Sequence, residues 1–260
     1  MKLLRTLRLF WSTSLAAEME YRSNFLMATL SSLFGLCATL FNLSLFYRAG
    51  ADLGGWSWRQ ALLVLGLFTV LSGLSRTVFE PNLSRIVEHV RTGTLDFILL
   101  KPIDSQLWLS TRRLSPWGLP DILLGLALLA YSTAVLELEL VACLVALVPV
   151  LASLTILYSI WFIVAATTIW YVKIYNVTDV LQAWIDAGRF PIDSFPPGVY
   201  RFIFTFVVPV AFLTTVPART MLGAIEPRWL LYGAALALGL FLFSRVFWRF
   251  ALRFYTSASS

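Results

Sequence analysis

The run ALLVLGLFTVLSGLSRTVF, residues 61–79, passes directly into EPNLSRIVEHVRTGTLDFILLKP, residues 80–102. The first part carries one charge, Arg76, and is long enough to cross a hydrocarbon core of about 30 Å, which takes roughly 20 apolar residues in a helix. The second part is basic and amphipathic. Leu83, Ile86, Val87 and Val90 recur at helical spacing, with Ser84, Arg85, Glu88 and Arg91 on the other side. Pro81 suits a first helical turn and Gly93 a helix end, so residues 80–113 predict a segment on one side of a membrane that opens with a short amphipathic helix. Periodicity alone fits two roles equally well, a lever packed on protein and a helix resting on lipid.

Working outward, the whole chain reads as an integral membrane protein. It is 59% hydrophobic and 13% charged with a mean hydropathy of +0.80, whereas soluble domains are about 25% charged. Strand alternation is absent, and long apolar runs in lipid must satisfy their backbone as helices. Six spans are expected. Phe25 to Tyr47 and Ala61 to Phe79 form a hairpin around Gly50, Gly54 and Gly55, with Trp56 and Trp58 at interface depth. Leu119 to Leu136 follows, Glu137 and Glu139 mark a turn, and Leu140 to Tyr171 is a charge-free stretch in which Pro149 predicts a kink. Val177 to Phe190 is a short, polar fifth span with Asp179, Asp186 and Arg189, and Trp229 to Phe250 is the last.

Charge orients these spans, because Lys and Arg accumulate in cytoplasmic loops. With both termini inside, the inner face holds Lys2, Arg5, Arg8, Arg22, Arg76, Arg85, Arg91, Lys101, Arg112, Arg113, Lys173, Arg245, Arg249 and Arg253. On the outer side Asp52, Glu137, Glu139, Asp186, Asp193 and Glu226 balance the basic residues, so the formal excess of +6 falls on the inner face. Val199 to Val216, interrupted by Pro209 and closed by Pro217, cannot then be a full crossing without stranding Arg245, Arg249 and Arg253 outside. An outer re-entrant hairpin within residues 191–224 is expected, against the alternative of a proline-kinked span and a different total.

The remaining signals mostly exclude chemistry. Residues 1–23 place Leu3, Leu7, Phe10, Trp11 and Leu15 opposite Lys2, Arg5 and Arg8, the pattern of a helix lying in the headgroup plane, with a signal peptide as the alternative. Cys37 and Cys143 lie in separate spans without metal-ligand spacing. A single histidine, His89, leaves no zinc motif and no nucleophile pair, and none of Lys2, Lys101 and Lys173 follows a glycine as a phosphate-cradling loop requires. No catalytic residue, cofactor-binding residue or metal ligand is expected, and no nucleic-acid partner. Any nucleotide energy must come from another protein.

Arg91-Thr92-Gly93-Thr94-Leu95-Asp96, followed by Leu99, Leu100, Lys101 and Pro102, resembles the stretch after the second span in ABC-2 type permeases, the membrane subunits of many bacterial ABC exporters. The six-span branch found with paired permeases is the nearest likeness. Val208-Pro209-Val210 with Arg219 and Gly223 is similar to that family's outer re-entrant element, and Pro191-Ile192 with Phe195-Pro196 resembles the loop leading into it. The likeness implies one all-α permease domain over residues 1–260, in the bacterial inner membrane with both termini cytoplasmic, working as a dimer with a second copy or a sister permease. It also implies two ATP-binding subunits, which carry the ATP and Mg.

In such permeases a coupling helix docks in a groove of the ATPase. The resemblance therefore implies ATPase contacts at Leu83, Arg85, Ile86, Glu88, His89, Arg91, Gly93, Thr94 and Asp96, and a lesser second contact over Lys173 to Asp179. Asp186 and Arg189 fit an outer structural pair or a pathway lining, the former being preferred. An ion-coupled secondary transporter is a rival, disfavoured because no internal repeat is evident and the charges sit near span ends. A nontransporting membrane scaffold is the other. Drug, lipid, peptide and glycan substrates all stay open.

Overall fold

Ser57 starts the helix that organises the bundle. Its hydroxyl accepts from the Gln60 N–H, its own N–H donates to Gln60 Oε1 at 3.0 Å, and this capping box launches the chain into the apolar run. The computed structural model describes residues 11–13, 22–50, 53–171, 182–183 and 185–256. Nine helices carry the argument. They are α1 (Arg22–Arg48), α2 (Trp58–Arg91), α3 (Leu95–Leu99), α4 (Ser105–Thr111), α5 (Leu119–Val135), α6 (Leu140–Ile169), α7 (Val199–Val207), α8 (Ala211–Met221) and α9 (Pro227–Ala251). Among the described residues, α1, α2, α5, α6 and α9 are long and apolar enough to cross a membrane. The all-α expectation holds.

The amphipathic helix is not a separate element. It continues the second span through a π-helical turn at Ser75–Phe79, giving one 34-residue helix. Pro81 is therefore interior, where it has no N–H to give to the carbonyl four residues back. Two substitutes meet that loss: Glu80 N–H turns to the Ser75 carbonyl, and the freed Thr77 carbonyl accepts from Ser115 N–H at 3.0 Å. At 1.5 Å per residue α2 is about 51 Å long, so it overshoots the hydrocarbon by roughly 20 Å.

The second and third spans pack closely because glycines line their seam. A Cβ on Gly73 would lie 2.7 Å from the Ile122 nitrogen, one on Gly125 2.7 Å from the Val70 nitrogen, and Gly118 faces the Gly73 carbonyl. Small residues of this kind let membrane helices approach backbone to backbone. Glu137, at φ 52, makes the expected turn into α6, with Leu138 N–H closing on the Thr133 carbonyl at 3.1 Å. Near Pro149 the helix is interrupted for one residue at Ala146, just after the Val145 carbonyl that the proline cannot serve. The largest core joins α2, α6 and α9 through Ile86, Ile156, Phe162 and Trp248.

Two ends of the bundle can be told apart. At the basic end, Trp170 contacts Phe250 and Phe254, and Arg245 meets Asp104. At the far end lie Tyr47, Trp56 and Trp58. The fifth span expected over Val177–Phe190 falls mostly outside the described residues, but Trp170 and Phe190 lie at opposite ends, Phe190 packing with Leu43, Leu53 and Ala61. Helices α7 and α8 bend by 69° at Val208–Val210, around Pro209. Both limbs return to one residue: Arg201 donates to the Asp193 carbonyl at 2.9 Å and Arg219 to its carboxylate at 2.7 Å. The two limbs of the bent element are thus both tied to Asp193. Of residues 1–23, the helical turn at 11–13 is described with the first residues of α1, and Trp11 Nε1 donates to the Thr111 carbonyl at 2.9 Å. The rest of the expected interfacial helix lies outside the described residues.

Candidate functional site

The overshooting part of α2 is a two-faced lever. Leu83, Ile86 and Val90 are buried, joined by Leu95 and Ile98 from α3, and all pack into the core shared with α6 and α9. Burial at 1% or less for Leu83 and Ile86 excludes a helix whose apolar face rests on lipid. It also takes both side chains out of any direct contact with a partner; they hold the lever on the spans. Arg85, Glu88, Arg91 and Thr92 are exposed. Gly93, at φ 69, ends the helix as expected, with Thr92 N–H on the Glu88 carbonyl at 2.9 Å. His89 Nδ1 meets Thr94 Oγ1 at 2.8 Å, and Thr92 Oγ1 meets the same hydroxyl at 2.9 Å, so these three shape the turn. Burial, with the nearby Asp96 carboxylate, pushes the Tyr255 hydroxyl above its ordinary range. Beyond the turn, Phe97 and Leu100 are 68% and 82% exposed, a pair of bare apolar side chains at the tip.

Polar bonds fasten this lever to the bundle. Asn82, buried, donates to the Val78 carbonyl at 2.6 Å and the Arg113 carbonyl at 2.8 Å, while its Oδ1 accepts from Arg113 N–H at 2.9 Å. The chain returning to α5 is thereby clipped onto α2. Helix α4 is clamped to α6 and α9: Gln106, 1% exposed, donates to Tyr158 Oη and Ser244 Oγ, and Trp248 Nε1 donates to Ser105 Oγ. Asp104 caps α4 through Leu107 N–H and takes both arms of Arg245 at 2.6 and 2.8 Å. The Arg245 hydrogen bonds hold its carboxyl below the ordinary carboxylate range. A lowered acid supports the fold above its ordinary pKa and loses that contribution only as pH falls through the depressed value. The clamp is therefore fully ionised at neutral pH.

Behind the lever, α1 stands off from α2 and leaves a polar vestibule. Its wide part, about 580 Å³, lies between Ala28 and Ser31 of α1 and Arg76, Glu80, Arg85 and Arg113. A narrower chamber of about 170 Å³ shares Ser31 and Arg76 and continues past Ser32, Thr39, Thr69 and Asp121 to Arg189. Arg76 pairs with Asp121 at 2.7 Å. Arg189 pairs with Asp186 at 3.2 Å, and its guanidinium sits 5.3 Å from the Phe68 ring. Phe68 is ten residues into α2, about 15 Å from its start, so the Arg189 guanidinium reaches that far along the helix and lines the chamber. A short 3-10 turn at Asp186–Arg189 directs it there, while Phe190, the next residue, packs at the far end.

The residues of the expected re-entrant element also have definite places. Pro209 sits at the bend, Pro217 in the first turn of the final α-helical stretch Val216–Met221, and Gly223, at φ 65, ends it. Arg219 Nη2 and Trp56 Nε1 share Asp193 Oδ2 at 2.7 and 2.9 Å. Lys173 and Asp179 lie outside the described residues. Sequence reasoning passed over Asn82, Asp104, Gln106 and the Phe97–Leu100 tip; only Asp104, a capping residue two places after Pro102, carried a local signal.

Among the described residues no group of three or more His, Cys, Asp or Glu side chains could hold a metal ion. The family described as "ABC-2 family transporter protein" matches residues 33–259. No curated protein and no solved structure matches. With the helical bundle, the lever and a match over most of its length, the chain belongs to the ABC-2 family of transporter proteins.

Proposed function

We propose that this chain is the permease subunit of an ATP-driven exporter, moving substrate through a pathway formed with a second copy or a sister permease. Two ATP-binding subunits, carrying ATP and Mg, drive it by docking on the lever. The observation that carries this reading is the continuous α2 helix, which runs from the far end through the span and ends about 20 Å beyond the hydrocarbon. A rod of this kind transmits displacement. Its apolar face is sealed on α6 and α9, so motion of the tip moves those spans, while Arg85, Glu88 and Arg91 give a soluble partner charges that fix register. Phe97 and Leu100 supply apolar area at the contact. The free energy enters as differential affinity of the ATP-bound subunits for two arrangements of the lever.

On this reading the basic end faces the cytoplasm of a bacterial cell, both termini are inside, and the chain itself has no catalytic role. The ion-coupled alternative draws on the Asp186–Arg189 pair, whose arginine lines the chamber, and a nontransporting scaffold on nothing specific. Copurification separates the ATP-driven exporter from both. An ATP-hydrolysing subunit is expected in equal number with the permease, lost in Arg91→Glu and Phe97→Asp while the permease stays folded and monodisperse. A permease that purifies folded without such a subunit, or keeps it in both variants, overturns the proposal. Orientation has its own check: an impermeant thiol reagent outside intact cells should leave a cysteine at Ser84 unlabelled.

A further inference from the structure

The described lining of the vestibule carries more arginine than acid. Four arginines line it, Arg76, Arg85, Arg113 and Arg189, against Glu80 and Asp121. Asp121 is already committed to Arg76, and Asp186 to Arg189. Glu80 is then the one lining acid that no arginine holds among the described residues. Arg85 is exposed at the mouth and forms no ion pair among them. At the inner end, the buried Nε of Arg189 has no hydrogen-bond partner among the described residues. An ionised side chain at membrane depth with an unserved donor faces either water or a ligand, and the chamber it borders is polar, with Ser31, Ser32, Thr39 and Thr69 hydroxyls along it.

We propose that this vestibule binds a phosphate-type anion, taken up at Arg85 beside Arg113 and held further in between Arg76 and Arg189. Guanidinium groups suit that ligand because their planar donors match phosphate oxygens two at a time. A cation would find one free acid against this array. The inner chamber, about 170 Å³, has room for a headgroup-sized anion, and the α1 wall beside it is largely exposed on its other faces, so an attached acyl chain can remain in lipid. A lipid-borne phosphate and a free one share the chemistry, and calling either a substrate rests on the permease reading above. Binding itself does not.

The test uses the full chain in phosphatidylcholine nanodiscs, without ATP or an ATPase subunit, so loss of ATPase association and loss of anion binding are separate results. The probes are dioctanoyl phosphatidate, inorganic phosphate and dioctanoyl phosphatidylcholine, each titrated against empty nanodiscs. Saturable binding of an anionic probe is expected, weakened about tenfold by Arg85→Gln or Arg189→Gln, each a loss of one charge-assisted contact. Asp121→Asn should act in the opposite direction and tighten it several-fold, because Arg76 is released; a merely structural role for the pair does not produce that sign. Phosphatidate binding better than phosphate assigns a lipid-borne group, and equal binding assigns a free anion. If neither anion saturates, if phosphatidylcholine binds as well, or if Arg85→Gln and Asp121→Asn leave affinity unchanged, the site does not exist.

Discussion

Helices α1 and α2 each carry a long apolar stretch, yet 56% of the most apolar stretch of α2 is buried in protein against 11% of that of α1. Hydrophobicity therefore fixes that each lies in the membrane and says nothing about what each touches there. The difference is made by small residues and by polar fastenings. α2 carries Gly66 and Gly73 on the seam with α5, and its extension is tied by Asn82. α1 has Gly35 with nothing within 4 Å of where a Cβ would stand, and its anchors are aromatic contacts at its two ends, Phe25 on Trp117 and Tyr47 on Trp58. One helix is the frame and the other is a wall of the vestibule.

The sharpest way to break this contrast is to add bulk where the frame is tightest. Gly73→Val or Gly125→Val puts carbon within 2.7 Å of a backbone nitrogen that no side-chain rotation can move away. Overpacking of well-packed sites typically costs about 1–3 kcal/mol and more where backbone is the neighbour, so loss of monodisperse protein on size exclusion is expected. Survival of both variants with an unchanged detergent-unfolding midpoint would mean that α2 and α5 are not held at this separation.

Much of this architecture was legible in the residues because it depends on local pattern. Apolar runs located α1, α2, α5, α6 and α9, the Gly93 stop and the interruption near Pro149 came from backbone chemistry, and Pro209 marked the bend between α7 and α8. The continuity of α2 through Pro81 was not legible, since it depends on Ser115, more than thirty residues later, serving the Thr77 carbonyl. The same holds for the site. The charged outer face of the lever follows from helical spacing, but that Leu83 and Ile86 face the bundle depends on α6 and α9 arriving there. That the Arg189 guanidinium reaches Phe68 depends on a 3-10 turn, which periodicity does not announce. Gln106 reads as an ordinary polar residue until Tyr158 and Ser244 surround it.

The next effects are smaller. Asn82→Ala removes three hydrogen bonds, two of which clip the returning chain to the lever, and leaves Arg113 N–H without that acceptor, a loss of about 2 kcal/mol for a buried group. A lower unfolding midpoint with intact spans is expected, together with faster proteolysis near Arg112 and Arg113. Tyr47→Phe deletes the hydrogen bond from its hydroxyl to the Trp56 carbonyl and costs about 1 kcal/mol, felt at the α1 end alone. Equal costs for the two substitutions would erase the distinction between frame and wall.

Gly35→Val is the matching change on the other helix, and its expected effect on folding is nil. No atom stands within 4 Å of the new Cβ, and valine is tolerated in a helix whose surroundings are lipid or an open chamber. The unfolding midpoint should stay within error of the parent while the chamber, which Gly35 lines, becomes smaller. Stability and vestibule occupancy thus separate at this position, whereas at Gly73 they fall together. If Gly35→Val destabilises the purified protein as strongly as Gly73→Val, α1 is packed against something beyond the described residues, and the standing-off of α1 from α2 does not make it the looser helix.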